Sequence, residues 1–259
     1  FNVEGVVARG ISEEQQRARR ELLGRLDRLG SSVPGNATLT AFFEAEQQAY
    51  DMILGDGAKV FDLSQEDDAL RSRYGHMPWS ETQLTWFGQT CLVARRLVER
   101  GVPYITINFS GWDTHKDHFR IMERKLPELD QGMATLLQDL SDRGLLDSTI
   151  VWWSGEFGRT PKIAWKAPWN GGRHHYPNVF SAVLAGGGFK GGRVVGASDA
   201  KGEEVKDRPV YPCDLLGSVY EKLGIDPDGK LPNPMDMDLT VTPTPADGIP
   251  MAGRLKEIM

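Results

Sequence analysis

Cysteine is scarce in this chain of 259 residues: Cys91 and Cys213 are the two present, and they stand far apart. No Cys-x-x-Cys pair occurs, which excludes a thiolate metal site, and two cysteines argue against a disulfide scaffold while leaving one bridge compatible with the count. No apolar run approaches the ~20 residues that a membrane helix needs. No long Lys/Arg stripe occurs either. With 30 basic against 36 acidic residues, a net charge of −6 argues against broad binding to nucleic acid or anionic membranes. The first residues, Phe1-Asn-Val-Glu-Gly5, lack the basic and apolar regions of a signal peptide, and they lack an initiator Met.

What is present reads as a soluble globular protein. Apolar residues make up 40% and charged residues 25%, a balance that rules out disorder and collagen-like structure. A chain of this size buries roughly 75% of its unfolded surface, enough for one large core or two modest ones.

Residues 1–101 read as a helical region. Ser12 with Gln15 forms a capping box ahead of Leu22, Leu23, Leu26 and Leu29 at helical spacing, and Gly30 stops the run. Ala41 to Leu54 is a second helical candidate. A third begins after Ser80 and ends at Gly101, a C-terminal glycine cap. From residue 102 the texture changes. Tyr104–Asn108 and Thr149–Trp153 are β-type runs separated by a helix over 119–143, in which Pro127 starts a second piece or kinks the first. Strand, helix, strand at this spacing predicts a βαβ unit with parallel strands. Val179–Leu184 is a third strand, ending in the turn Gly186–Gly188, and Cys213–Leu223 a last helix stopped by Gly224. Trp152 and Trp153 are expected in the sheet core. The expectation is an α/β fold whose largely parallel sheet lies in a core over 102–227, with an irregular tail over 228–259.

Four of the five histidines fall in two groups. Gly111-Trp-Asp113-Thr-His115-Lys-Asp117-His118 follows the run ending at Asn108, and Gly171-Gly-Arg173-His174-His175 precedes the run at 179. Between them lies Gly155-Glu156-Phe-Gly-Arg159-Thr-Pro161. The first and second of these chemistry-bearing loops in chain order, 111–118 and 155–161, follow the carboxyl ends of expected strands, the ligand-binding edge of an open parallel sheet. Asp113, His115, Glu156 and His175 supply the imidazole and carboxylate mixture that a divalent cation takes when cysteine is absent. Such an ion would activate water and neutralise a phosphate-like or sulfate-like group. Arg159 suits an anion clamp, because its planar fork holds two oxygens at once. His118 reads as a helix-face residue and His76 as isolated. His115-x-x-His118 lacks the Glu of the zincin motif, so a zincin protease is not supported.

These motifs, together with Ala185-Gly-Gly-Gly-Phe-Lys-Gly-Gly192, Gly196-Ala-Ser-Asp199, Asp207-Arg-Pro209 and Leu223-Gly-Ile-Asp226, resemble a large bacterial domain-of-unknown-function family assigned to the alkaline phosphatase and sulfatase superfamily. The resemblance covers roughly residues 60–227. It implies a doubly wound α/β sheet, one or two divalent metals (zinc, calcium or manganese) and transfer or hydrolysis of small anionic phosphate or sulfate esters. By resemblance, Asp113 and His115 are ligands of one metal and His175 its third, while Glu156 stands where the superfamily has an Asp of the second. Phe157 replaces the His that follows that acid in phosphatase-type members. His174 replaces the Asp that precedes the ligand His in the family, so both His174 and His175 stay open as the ligand. The superfamily's nucleophile strand has no counterpart in residues 1–60, and the chain reads as the C-terminal part of a longer protein. Family members commonly carry a twin-arginine export signal, which implies a periplasmic or extracellular location. The leading expectation is a metal-dependent ester hydrolase; a non-catalytic binding or scaffold protein and a phosphomutase are the alternatives.

Overall fold

The computed structural model describes residues 10–26, 43–44, 56–75, 85–232, 235 and 237–259. The expected helix over 41–54 therefore lies outside the described residues apart from Phe43 and Glu44, as do Gly30 and His76. The chain divides into two compact units, Phe1–Ile107 and Asn108–Met259.

In the first unit, helix α1 (Glu13–Leu26) starts where the capping box places it. The Ser12 N–H donates to Gln15 Oε1 at 2.9 Å and the Gln15 N–H to Ser12 Oγ at 3.2 Å. Two 3-10 segments, Asp56–Phe61 and Leu63–Gln65, lead into the short helix α2 (Asp68–Arg73). Helix α3 (Trp86–Glu99) is capped by Thr85, whose hydroxyl accepts from the Gly88 N–H at 3.0 Å. Its end is the expected one, with Gly101 left-handed at φ 75°. Phe87, Cys91, Leu92, Val93 and Ala94 of α3 are buried, with Val60 and Tyr74. Buried among them, Arg95 pairs with Glu66 at 2.6 Å and Glu99 at 2.5 Å, and Arg96 also reaches Glu66. Arg96 in addition donates to the Val60 carbonyl at 2.7 Å.

The second unit opens with helix α4 (His118–Asp142), a single 25-residue run through Pro127. Its buried residues Leu129, Gly132, Leu136 and Leu140 recur at three- and four-residue spacing, the mark of one core-facing stripe. The strands that follow overturn the expected doubly wound, largely parallel, alkaline-phosphatase-like sheet. Among the described residues there are three ribbons of two antiparallel strands. β1 (Ile150–Trp153) pairs with β4 (Val183–Gly186), β2 (Gly158–Arg159) with β3 (His175–Tyr176), and β5 (Ala197–Ser198) with β6 (Val205–Asp207). Tyr104–Asn108 alternates exposed and half-buried residues but joins no ladder among the described residues. The βαβ reading fails because β-branched residues make a segment extended without choosing its partner. β1 takes the later β4, in the register Ile150↔Gly186 to Trp153↔Val183. An antiparallel pair needs no helical crossover. Trp152 and Trp153 are exposed rather than core, as an unlayered two-stranded ribbon allows.

Helix α5 (Pro212–Lys222) closes the unit, again with a left-handed glycine, Gly224, just past its end. Asp214, 1% exposed, accepts from the N–H groups of Tyr211, Ala252 and Gly253. The Ser218 hydroxyl accepts from the Leu255 N–H at 2.8 Å. Part of the residues expected as an irregular tail is thus hydrogen-bonded to α5. Cys91 and Cys213 are both buried free thiols, and burial pushes the Cys91 thiol up to about 12.

Candidate metal centre

Backbone bonds assemble the site from three loops. The Arg173 N–H donates to the Thr114 carbonyl at 3.2 Å, joining the 111–118 loop to the 171–175 loop. The Thr160 N–H donates to the His174 carbonyl at 2.9 Å, and the His174 N–H returns to Thr160 Oγ1 at 3.1 Å. In the β2–β3 ribbon Arg159 lies opposite His175, and directly opposed residues project to the same side. Two glycines permit the approach. A Cβ on Gly172 would lie 1.8 Å from the His115 carbonyl oxygen, and one on Gly158 would lie 2.0 Å from that of Val179.

Three donor atoms meet where these loops join. Asp113 Oδ1 is 3.0 Å from His115 Nε2 and 2.9 Å from His175 Nε2, and the two imidazole nitrogens are 3.1 Å apart. Asp113, His115 and His175 form the one group among the described residues whose ligand atoms could hold a metal ion. Ligands about 2.0–2.1 Å from a zinc-like cation lie roughly 2.9–3.4 Å from one another, so the donor set fits such an ion. Hydrogen bonds fit it less well, since both ring nitrogens face one carboxylate oxygen and each other.

Around this triangle each further residue has a visible task. Arg159 Nη2 donates to Asp113 Oδ1 at 2.7 Å, so the guanidinium grips a candidate ligand. Hydrogen bonds from His175 first, and then from Arg159, hold the Asp113 carboxyl down at about 2, ionised and ready to ligate. His174 is turned to the other side of His115, with the two Nδ1 atoms 2.8 Å apart. Of the two adjacent histidines, therefore, His175 enters the donor triangle and His174 supports His115. Phe157 lies against His175, with ring centroids 4.5 Å apart, and Trp169 stands edge-on to His174 at 4.9 Å.

Glu156 is exposed and stands outside the converging group. His118 is the first residue of α4, buried, with Nδ1 2.6 Å from the Thr114 hydroxyl. Burial foremost, then the positive Arg173 and Arg159, lowers its pKa. Thr160, Arg173 and Trp169 were given no role by residue type. The loop composition could have singled them out, since glycine-flanked Arg-His-His needs neighbours to fix its backbone.

Residues 5–249 match the family of proteins of unknown function DUF1501. The chain belongs to that family. No curated protein and no solved structure matches it. The DUF1501 match stands for the family alone and does not extend to the alkaline phosphatase and sulfatase superfamily that the motifs resemble. In this DUF1501 chain the triad lies inside the matched span, as do Arg159 and His174.

Proposed function

We infer that this protein is a metal-dependent hydrolase of small phosphate or sulfate esters, with Asp113, His115 and His175 as the ligands of a divalent cation. The observation that carries the reading is the triangle of donor atoms 2.9–3.1 Å apart. Two imidazoles and one carboxylate suit zinc or manganese better than calcium, which prefers oxygen. When bound, such a cation would act as a Lewis acid toward the anionic oxygens of the ester.

The chain's own residues prepare the site for an anion. Arg159 keeps Asp113 ionised and aimed. His174, placed on His115 Nδ1, accepts the N–H that His115 exposes when its Nε2 ligates. Residues 159–175 contain Arg159, Lys162, Lys166 and Arg173 and no acid, which favours approach of a negative substrate. The export signals of the family that the motifs resemble support an extracytoplasmic setting.

The test is metal content by emission spectroscopy, together with turnover of 4-nitrophenyl phosphate and sulfate under added Zn²⁺ or Mn²⁺. Asp113→Ala and His175→Ala should each lose the metal and the turnover; unchanged metal content in both overturns the reading. Emission also reads iron, which the same donor set serves in oxygenases.

A non-catalytic, metal-holding protein is the second reading. It is favoured by the exposed position of Glu156 and by the nearby hydroxyls. Thr160 Oγ1 donates to the Lys162 carbonyl, and Thr114 is buried at 3% exposure, so neither hydroxyl is presented to a substrate. Metal-dependent turnover excludes it, and product analysis then separates hydrolysis from phosphoryl transfer to a second hydroxyl.

A further inference from the structure

The cation-rich loop between β2 and β3 is aromatic at its outer end. Trp165 is 67% exposed, and its ring lies parallel to that of Phe119, with centroids 5.6 Å apart and planes 8° apart. Trp169, also exposed, stands against His174, and the Lys116 ammonium lies 5.8 Å over its ring. The aromatic pair adjoins the loop that carries His174 and His175. A Cβ on Gly171 would lie 3.1 Å from Trp165 Cζ3 and 3.4 Å from the Phe119 ring, and the following Gly172 touches the His115 carbonyl.

An indole whose face is left in water contributes little to a core. Backed by a second ring, it is fixed in orientation and offers a flat apolar surface. The charge along the loop says what kind of molecule carries the matching ring: Lys162 and Lys166 flank Trp165 in sequence, and no acid occurs between residues 159 and 175. A neutral apolar partner gains nothing from that charge, whereas an anion with a ring attached satisfies both the cations and the indole.

We propose that Trp165, supported by Phe119, is the stacking subsite for the alcohol portion of the ester, so that the substrate is a ring-bearing phosphate or sulfate ester rather than an acyclic alkyl one. The substrate assignment rests on the hydrolase reading; the binding subsite does not. Ring stacking supplies selectivity while the donor triangle and its cations take the charged end.

The test is calorimetric titration of the zinc-loaded protein with 4-nitrophenyl sulfate, glucose 6-sulfate and ethyl sulfate, repeated for Trp165→Ala and Trp165→Phe, with turnover of the same esters measured in parallel. At least one ring-bearing ester should bind about tenfold more tightly than ethyl sulfate. Trp165→Ala should remove that advantage and leave ethyl sulfate unchanged, while Trp165→Phe restores part of it. Which of the two ring esters gains tells an aryl from a sugar substrate. Equal binding of all three esters, or an equal loss for all three in Trp165→Ala, overturns the subsite. If the binding pattern holds but no ester turns over, the hydrolase reading fails and the subsite stands. If all three turn over with the same KM, the reverse follows.

Discussion

Glu66 and Asp113 are both carboxylates gripped by several nitrogens, yet they serve different ends. Glu66 is held by Arg95 and Arg96, and its side chain is 11% exposed, with that of Arg95 at 2%. Asp113 is held by Arg159, His115 and His175, and its side chain is 66% exposed. Burial decides the difference. A charge taken out of water must keep its partners or destabilise the fold, whereas an exposed pair is screened and carries little stability. An exposed convergence of three donors is therefore better explained by what it can bind than by what it holds together.

The sharpest way to break that comparison is to neutralise each carboxylate in turn. Glu66→Gln should lower unfolding stability by about 1.5–3 kcal/mol, because it takes the charge from the partner that Arg95 and Arg96 share while Glu99 still pairs with Arg95. Asp113→Asn should scarcely move the urea midpoint of the metal-free protein. It should, however, abolish the rise in midpoint that added Zn²⁺ produces in the parent, since a ligand bound to the folded state alone stabilises it. Equal destabilisation of the metal-free protein by both substitutions would refute the distinction.

His174 tests the same idea one contact further out. With its Nδ1 2.8 Å from His115 Nδ1, it fixes the ring whose Nε2 stands in the donor triangle. His174→Ala should weaken zinc affinity by about 10- to 100-fold, against complete loss in His175→Ala. Competition against a chromophoric chelator reads both. Identical affinities in His174→Ala and the parent would remove His174 from the site.

How far all this could be read beforehand follows from the range of the forces involved. Local signals were legible: the Ser12–Gln15 box and the glycine ends at 101 and 224 depend on residues within one helical turn, and the structure has them. The start of α3 was less so, because Thr85, five residues past Ser80, makes the cap. The sheet was not legible. Ile150–Trp153 has the composition of a strand in either orientation, and its pairing with Val183–Gly186 is set by contacts across thirty or more residues. At the candidate site, residue types marked Asp113, His115 and His175. They could not tell His174 from His175, since His174 ends the loop just before β3 and only the β2–β3 pairing sets His175 opposite Arg159. Glu156 precedes that ribbon, so no strand pairing aims it at the triangle.

Acid should reveal what Glu66 contributes. Burial opposes ionisation of Glu66, but hydrogen bonds from Arg95 and Arg96 outweigh it and hold the carboxyl below its ordinary 4.5. Between that value and the folded one the unfolded chain binds more protons, so stability falls as pH falls. The contribution is fully present above about 4.5 and is lost as pH drops through the folded value. Urea midpoints from pH 6 to 3 should drop more steeply in the parent than in Glu66→Gln. Parallel curves would mean that Glu66 does not govern the acid limb.

The smallest expected effect belongs to His118, which shares a loop with the donor triangle but is buried against Thr114. Its pKa is lowered, by burial first and then by Arg173 and Arg159, so the folded state favours the neutral ring. The unfolded histidine still takes a proton near 6.5, and stability therefore declines as pH falls from above 6.5 toward the folded value, then levels off. His118→Asn keeps a side-chain partner for the Thr114 hydroxyl and removes the titration. Between pH 7.5 and 5 the metal-free variant should show a shallower fall in urea midpoint than the parent, with the other histidines common to both. A slope unchanged by His118→Asn would remove His118 from the neutral-range pH dependence, and with it the view that its burial shapes stability here would fail.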